Sequence, residues 1–110
     1  MKSEYKVLWA SVAEKDFKEI IEFIAVSNPL EALKILENIR HRVSALHSLP
    51  ERGRIVPELQ KEGVFLYREL VVAPWRIIYR ISQSEVFVLA VLDARQNVED
   101  IILRRLLTRP

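Results

Sequence analysis

The chain has 110 residues, of which 50% are hydrophobic and 29% are charged, and its 17 basic and 15 acidic side chains give a net charge of +2. This length is typical of a single compact domain, residues 1–110, which can bury about two thirds of its unfolded surface. The absence of cysteine excludes a disulfide scaffold and a thiolate metal site. No apolar run approaches the ~20 residues of a membrane span, and Met1–Glu4 lead into a strand-like segment without the pattern of a signal peptide. We therefore expect a soluble cytoplasmic protein.

The charges are divided unevenly along the chain. Residues 1–39 contain five Lys and seven acidic residues, a net charge of −2, whereas residues 40–110 contain eleven Arg, one Lys and eight acidic residues, a net charge of +4. The planar guanidinium of arginine binds phosphate and carboxylate groups and stacks on aromatic rings. For any single arginine, however, a surface ion pair is the commoner role.

The first half of the chain predicts one strand and two helices. Tyr5–Ala10 is short, aromatic and apolar, as expected of a strand. Ser11–Glu14 has the form of a capping box, and apolar residues at helical spacing then continue the first helix to about Ala25. Asn28, followed by a proline, is a good cap for a second helix that continues to Leu49. Because the connection is so short, the two helices are expected to pack as an antiparallel hairpin.

The second half predicts three further strands and a short helix. Residues 50–63 contain both glycines and two of the five prolines, which indicates an irregular crossing segment. Strand-like runs follow at Val64–Val72, Trp75–Ser82 and Val86–Leu92, with connections typical of antiparallel hairpins, and Asn97–Leu107 can form a brief helix. The predicted fold is therefore α+β: an antiparallel sheet with an N-terminal α-helical hairpin packed on one face, in the order β-α-α-β-β-β with a short C-terminal helix.

The last predicted strand needs burial on both sides. Val86–Leu92 is apolar at every position, and the helical hairpin can cover only one face of the sheet. The other face must be covered by the C-terminal helix or by a partner chain, and the composition favours neither.

The sequence gives little support to metal or nucleophile chemistry. His41 and His47 are six residues apart on a predicted helix and therefore point in different directions, with no third ligand spaced to join them. Neither histidine lies near a serine motif, and two glycines are too few for a phosphate-binding loop. We therefore expect no metal and no cofactor.

Arginine and aromatic residues are concentrated in the predicted sheet. Such a surface suits RNA or a phosphorylated partner, but it equally suits an ordinary protein interface or internal ion pairs, for example between Arg68 and either Glu58 or Asp93. The net charge of +2 disfavours strong nonspecific binding to nucleic acid. Alternation along the strands predicts three groups that each share a face: Arg68 with Leu66 and Leu70, Arg76 with Ile78 and Arg80, and Trp75 with Tyr79.

Several short segments are individually weak signals but form a fairly specific set in their order and spacing: Val12–Phe17, Asn28–Ala32, Leu49–Arg54, Pro57–Leu59, Tyr67–Leu70, Trp75–Tyr79 and Asp93–Gln96. On these segments the chain resembles, over nearly its whole length, the RelE/ParE superfamily of toxins from type II toxin-antitoxin systems. The resemblance implies the same fold as the one derived above.

The superfamily has two branches, and the resemblance favours the ParE-like one. RelE-like members cleave mRNA in the ribosomal A site without a metal, whereas ParE-like members inhibit DNA gyrase and trap its cleaved complex with DNA. The key arginine and the C-terminal tyrosine of the RelE-like branch fall on Val71 and Ile101, while Gly53-Arg54 and the segments that begin at Pro57 and Tyr67 are more similar to ParE. One departure is the turn after the last strand, Asp93–Gln96, where the family usually has a His-Gly-Arg-Arg-like sequence.

The resemblance implies a toxin that inhibits gyrase by binding rather than by catalysis, that is neutralised by a cognate antitoxin, and that serves growth inhibition or plasmid stabilisation. One alternative is a RelE-like ribosome-dependent endonuclease, with the catalytic candidates Arg68, Arg76, Tyr79 and Arg95. Another is a non-toxic relative that acts only as a binding partner. The target-binding candidates are Arg54, Arg68, Trp75, Arg76 and Arg95. The antitoxin-binding candidates are Phe17, Ile21, Ile24, Leu36, Phe87 and Leu89.

Overall fold

The structure, a computed structural model, describes residues 4–107. Residues 1–3, where the predicted lead into the first strand begins, and residues 108–110 lie outside the described part. Two 3-10 turns, Ala45–His47 and Pro50–Arg52, follow the helical hairpin, and a π-helical turn, Leu103–Leu107, follows the last α-helix. The strands and α-helices are, in chain order, β1 (Lys6–Trp9), α1 (Ser11–Ser27), α2 (Pro29–Ser44), β2 (Arg54–Ile55), α3 (Pro57–Gln60), β3 (Tyr67–Val72), β4 (Trp75–Ser82), β5 (Glu85–Asp93) and α4 (Val98–Ile102).

The five strands form one mixed sheet in the order β1-β5-β4-β3-β2. The pairs β2–β3, β3–β4 and β4–β5 are antiparallel, as expected of short connections. The predicted α+β class is confirmed, but the sheet is not antiparallel throughout, because β1 runs parallel to β5. A parallel pair needs a long crossover connection, and the helical hairpin together with the other strands provides it.

The helical hairpin forms where it was predicted, but its two helices begin in different ways. At the start of α2, the Oδ1 atom of Asn28 accepts the N–H of Glu31 at 3.1 Å, as the cap prediction required. No side chain caps α1, whose N-cap residue is Ala10, so the predicted capping box at Ser11–Glu14 is wrong. The N–H of Ala10 is still hydrogen-bonded in the sheet to the carbonyl of Val88, at 2.9 Å. The end of β1 therefore fixes where α1 begins.

The segment between α2 and β3 is more regular than predicted. The helix α2 ends at Ser44 and is followed by a 3-10 turn, although the sequence predicted a helix as far as Leu49. The short strand β2 pairs with β3, and α3 adds one helical turn. The strand β3 begins at Tyr67 rather than at Val64, because the N–H of Val64 is bound at 2.9 Å by the carbonyl of Leu59 at the end of α3.

One apolar cluster lies on each face of the sheet. Residues of α3 and α4 contribute to the cluster on the face opposite the helical hairpin. The chain itself therefore covers this part of the second face of β5, for which the sequence had left cover by the C-terminal helix or by a partner chain equally open. Within residues 4–107, no helix is long and apolar enough to cross a membrane. The first cluster, between the sheet and the helical hairpin, contains Ala13, Phe17, Ile39, Val43, Leu46, Leu70, Trp75, Ile77, Tyr79, Val86, Val88 and Val91. The second cluster, on the opposite face, contains Val56, Leu59, Tyr67, Ile78, Ala90, Leu92, Val98 and Ile102.

Candidate functional site

At the β2 edge of the sheet, four charged side chains bind one another. The side chain of Arg76 is only 9% exposed, and its guanidinium donates to the Glu69 carboxylate at 2.6 and 3.0 Å and to the Glu58 carboxylate at 2.8 and 2.7 Å. The fully buried side chain of Glu69 also accepts from Nε of Arg54 at 2.7 Å. We call Arg54, Glu58, Glu69 and Arg76 the β2 edge network. Its hydrogen bonds lower the pKa of Glu58 and raise the pKa of Arg76.

The hydroxyl of Tyr79 holds the loop before β2 against the sheet. Tyr79 is fully buried, and its hydroxyl donates to the carbonyl of Pro50 at 2.7 Å and accepts the N–H of Gly53 at 2.9 Å. Burial raises the pKa of Tyr79. Glycine is required at position 53 because a Cβ atom there would lie 2.7 Å from the Tyr79 hydroxyl and would also meet the carbonyl oxygen of Glu69. Gly53 in this loop and Tyr79 in β4 are therefore closely packed against each other.

Arg68 does not form either of the ion pairs predicted for it. It lies opposite Tyr79 in the β3–β4 pair, and its guanidinium donates to the carbonyl of Gly53 at 2.8 Å. Glu58 is instead bound by Arg76, and Asp93 is bound by Arg95. The predicted pairing was wrong because residues on neighbouring strands pair according to register and face, which composition does not reveal.

The four candidate nuclease residues are not brought to one point. Tyr79 belongs to the cluster under the helical hairpin, whereas Arg76 lies three positions earlier in β4 and therefore on the opposite face. Arg68 is beside Tyr79, but Arg95 lies beyond the end of β5, where its guanidinium binds Asp93 with two contacts of 2.9 Å. The predicted grouping of Trp75 with Tyr79 is confirmed, since both belong to the hairpin-side cluster.

The opposite edge of the sheet carries an apolar groove, which we call the β1 groove. It has a volume of about 680 Å³ and lies between β1, α1 and α2, with the rings of Trp9 and Phe17 stacked at a centroid distance of 5.4 Å. It brings together three of the antitoxin-binding candidates, Phe17, Ile21 and Leu36. Its apolar lining consists of Val7, Trp9, Phe17, Ile21, Leu36 and Val43, and its polar rim of Glu14, Lys18, Glu22, Arg40 and Ser44.

The side of β1 away from β5 pairs with no described strand, and just before it the N–H of Tyr5 donates to the carbonyl of His47 at 2.8 Å. The N–H groups of Lys6 and Ala10 donate to carbonyls of the β5 side of the sheet at 3.0 and 2.9 Å. Because alternate residues of a strand direct their polar backbone groups to opposite sides, Val7 and Trp9 direct theirs away from the sheet. Within residues 4–107, no strand pairs with this side of β1. Local sequence patterns could not place β1 at an edge of the sheet, because its position depends on its distant partner β5.

The other antitoxin-binding candidates lie elsewhere. Phe87 and Leu89 are half-buried, and Leu89 packs against the cluster on the face opposite the hairpin. The guanidinium of Arg80 lies over the Phe87 ring, 5.9 Å from its centroid. Ile24 lines a second groove, described next.

The second groove, which we call the turn groove, lies between the helical hairpin, the β3–β4 turn and the end of β5. It has a volume of about 910 Å³ and includes two target-binding candidates, Trp75 and Arg95, whose guanidinium is 5.6 Å from the centroid of a Trp75 ring. The two grooves have no lining residue in common. Within the described residues, no group of three or more His, Asp or Glu side chains could hold a metal ion.

Comparisons with known proteins agree with this fold. A family model described as the ParE toxin of the type II toxin-antitoxin system parDE matches residues 7–98. Toxin ParE3 of Caulobacter vibrioides is 31% identical over 85 residues, which cover 77% of this chain and 78% of that protein.

Two solved structures share the fold. A chain of the chromosomal ParDE toxin-antitoxin system from P. aeruginosa has a TM-score of 0.67 at 22% identity and covers 82% of this chain and 96% of its own. A chain of the toxin-antitoxin complex RelBE2 from Mycobacterium tuberculosis has a TM-score of 0.55 at 19% identity and covers 83% of this chain and 92% of its own.

Proposed function

This chain belongs to the ParE family of toxins from type II toxin-antitoxin systems, and we propose that it inhibits DNA gyrase in the cytoplasm by binding, until a cognate antitoxin neutralises it. The resemblance to the RelE/ParE superfamily, with the ParE-like branch favoured, is thereby confirmed. Gyrase is taken as the target because the chain belongs to the ParE family, whereas the mode of action and the place of the antitoxin are inferred from the side chains described above.

The positions of Arg76 and Tyr79 favour binding over RNA cleavage. A metal-independent ribonuclease needs a base or acid and a cation that are free to reach one phosphate. Here, Arg76 already donates four hydrogen bonds to two carboxylates, and the Tyr79 hydroxyl has both a donor and an acceptor inside the fold. Withdrawing either side chain toward a substrate would leave buried polar groups unpaired, at about 1–3 kcal/mol for each group. Of the candidate residues, only those on the protein surface can therefore contact a target without breaking contacts inside the fold.

The β1 groove is the proposed site of the antitoxin. Its apolar lining can accept the apolar face of an amphipathic helix, and the free side of β1 can pair with an added strand. Its rim carries two acidic and two basic side chains, so a partner segment with charges of both signs would be complementary.

Supercoiling by purified DNA gyrase tests the target. We expect the wild-type chain at micromolar concentration to inhibit supercoiling and to increase the fraction of cleaved DNA, while ribosome-bound mRNA stays intact in primer extension. Unaffected supercoiling together with normal growth on induction would overturn the proposal. Cleavage of the mRNA in the ribosomal A site would replace it with the RelE-like endonuclease.

A matched pair of substitutions in α2 tests the antitoxin site. Leu36 lines the β1 groove, whereas Leu33, three residues earlier in the same helix, is exposed and lies in neither groove. We expect Leu36→Glu to weaken binding of the antitoxin, taken as the product of the adjacent reading frame, by at least about tenfold, because a carboxylate would be desolvated in the groove. Leu33→Glu should change the affinity less than about twofold. Equal effects of the two substitutions would place the antitoxin elsewhere, and circular dichroism checks that both variants are folded.

A further inference from the structure

The turn groove combines buried and half-buried apolar walls with an exposed apolar rim. Apolar side chains from both helices and from the β3–β4 turn line it, and Phe23 on its rim is 80% exposed. Val26, one turn beyond Phe23 on α1, and Leu30, in the first turn of α2, are 88% and 73% exposed. Contiguous exposed apolar residues of this kind mark interaction surfaces. The apolar lining consists of Ile20, Phe23, Ile24, Ile35, Val72, Ala73, Pro74, Trp75, Val91, Leu92 and Ile101.

The charges of this groove are opposite in sign to the net charge of the chain. Four carboxylates and two guanidiniums line it, a balance of −2, whereas the whole chain carries +2. The two guanidiniums are already bound: Arg105 binds Asp16 at 2.7 and 2.8 Å, and Arg95 binds Asp93. Among residues 4–107, no cationic side chain lies within ion-pair distance of the other two carboxylates, those of Glu19 and Glu31. This sign of charge repels nucleic acid and attracts a cationic protein segment.

Arg95 is an exposed arginine of this groove that packs on the buried Trp75, the kind of residue that anchors a protein partner. The Arg95 side chain is 69% exposed and lies over a ring of Trp75, which forms part of the groove wall. Aromatic residues and arginine at the centre of an apolar patch are the residues that contribute most to protein interfaces.

We propose that the turn groove binds a cationic amphipathic segment of the toxin's protein target, with apolar residues on Phe23 and the hairpin and with Lys or Arg beside Glu19 and Glu31. This inference rests on the proposed function and names the surface through which it acts. Since the turn groove and the β1 groove have no lining residue in common, the target and the antitoxin occupy different surfaces of the chain.

The two tryptophans of the chain allow the grooves to be observed separately, because Trp9 lines the β1 groove and Trp75 lines the turn groove. The probe is an amphipathic helical peptide of Leu and Lys, about 18 residues or five turns long. We expect it to cause a saturable change in the fluorescence of Trp75 in the Trp9→Phe variant and no change of Trp9 in the Trp75→Phe variant. A matched peptide with Glu in place of Lys should bind at least about tenfold more weakly. No saturable response of Trp75, equal binding of the Glu peptide, or a response of Trp9 would overturn the inference.

Substitutions in the turn groove then test whether this groove is needed for inhibition of the target. The double variant Phe23→Ser/Glu31→Lys changes the groove, and Phe65→Ser/Glu37→Lys changes an exposed phenylalanine and an exposed glutamate that lie in neither groove. We expect the first variant to lose at least about tenfold in binding of the Lys peptide and in inhibition of purified gyrase, and the second to change either by less than about twofold. If the wild-type chain does not inhibit gyrase, the proposed function fails, and the peptide titration still tests whether the turn groove binds a cationic amphipathic segment. If it does inhibit gyrase and the first variant inhibits equally well, the inference fails and the proposed function stands.

Discussion

At the β2 edge of the sheet, charged and hydroxyl side chains bind one another and the backbone; at the β1 edge, an apolar groove lies beside a strand with one side unpaired. The β2 edge contains the buried pair Arg76–Glu69 and the Tyr79 hydroxyl bound to two backbone groups. The β1 edge contains the stacked rings of Trp9 and Phe17 and polar backbone groups directed away from the sheet. The polar groups of the first edge fix a loop, whereas the outward backbone groups of the second edge pair with no described strand.

This difference changes how the recognisable segments are interpreted. Several of the residues that carry the resemblance in the second half of the chain, among them Gly53-Arg54, Glu58, Arg76 and Tyr79, lie at or near the β2 edge, where Glu58, Arg76 and Tyr79 stabilise the fold. The contacts of Arg76 and Tyr79 therefore account for these two residues as parts of the fold. The β1 groove is lined largely by ordinary apolar residues, which sequence patterns do not distinguish from those of the core.

The largest expected effect comes from removing the guanidinium at the centre of the β2 edge network. Arg76→Met leaves the buried carboxylate of Glu69 and the partly buried one of Glu58 without their main cation, and we expect a loss of about 3–5 kcal/mol in the free energy of unfolding. Urea denaturation followed by circular dichroism measures this loss. Arg80→Met is the matched control, because Arg80 is on the same face of β4 and forms no ion pair with described residues; it should lose less than about 1 kcal/mol. Similar losses in both variants would mean that the ion pairs of the β2 edge network do not stabilise the fold.

Gly53→Ala should have the next largest effect, a loss of about 2–3 kcal/mol in the free energy of unfolding. The new methyl group would clash with the Tyr79 hydroxyl and the Glu69 backbone. The same substitution at Gly63 is the control: it meets no atom within 4 Å, but its φ of +82° disfavours alanine. We therefore expect about 1 kcal/mol at Gly63. Urea midpoints of the two variants decide the order, and a smaller loss at Gly53 would mean that the loop can move away from Tyr79.

Removing only the hydroxyl of Tyr79 should have a smaller effect. Tyr79→Phe leaves the N–H of Gly53 and the carbonyl of Pro50 without their partner, and we expect a loss of about 1–2 kcal/mol in the free energy of unfolding. Tyr67→Phe should be nearly neutral in the same thermal or urea unfolding measurement, since the Tyr67 hydroxyl makes no hydrogen bond to a described residue. A neutral Tyr79→Phe would show that the loop is held by other contacts.

The smallest effect concerns pH. The pKa of Glu58 is lowered from its usual value of 4.5, chiefly by the hydrogen bonds from Arg76. Because the folded-state pKa is below the unfolded one, this carboxylate stabilises the fold at all pH values above the unfolded pKa, and the contribution is lost as the pH falls through the folded pKa. The urea midpoint of the wild type should therefore fall more steeply below pH 4.5 than that of Glu58→Gln. Parallel pH profiles would contradict the role given to Glu58.

Local patterns predicted much of this molecule. The helical hairpin, the Asn28 cap and the three antiparallel strands follow from periodicity and turn residues, which act over a few positions. The resemblance identified the family from short segments in order. Boundaries were less well predicted where a distant partner set them, as at Ala10, whose hydrogen bond to Val88 moved the start of α1.

Which charged groups meet and which surfaces stay open depends on how distant parts of the chain pack together. Asp16 has the appearance of any acidic residue on an amphipathic helix, yet its carboxylate accepts the N–H of Val91 at 3.0 Å and binds Arg105, 89 positions along the chain. The same is true of three other features: the parallel pairing of β1 with β5, the cover that α3 and α4 give to the second face, and both grooves. The physical reason is that register, strand order and face bring together residues far apart in sequence, and no local pattern records which of them will be neighbours.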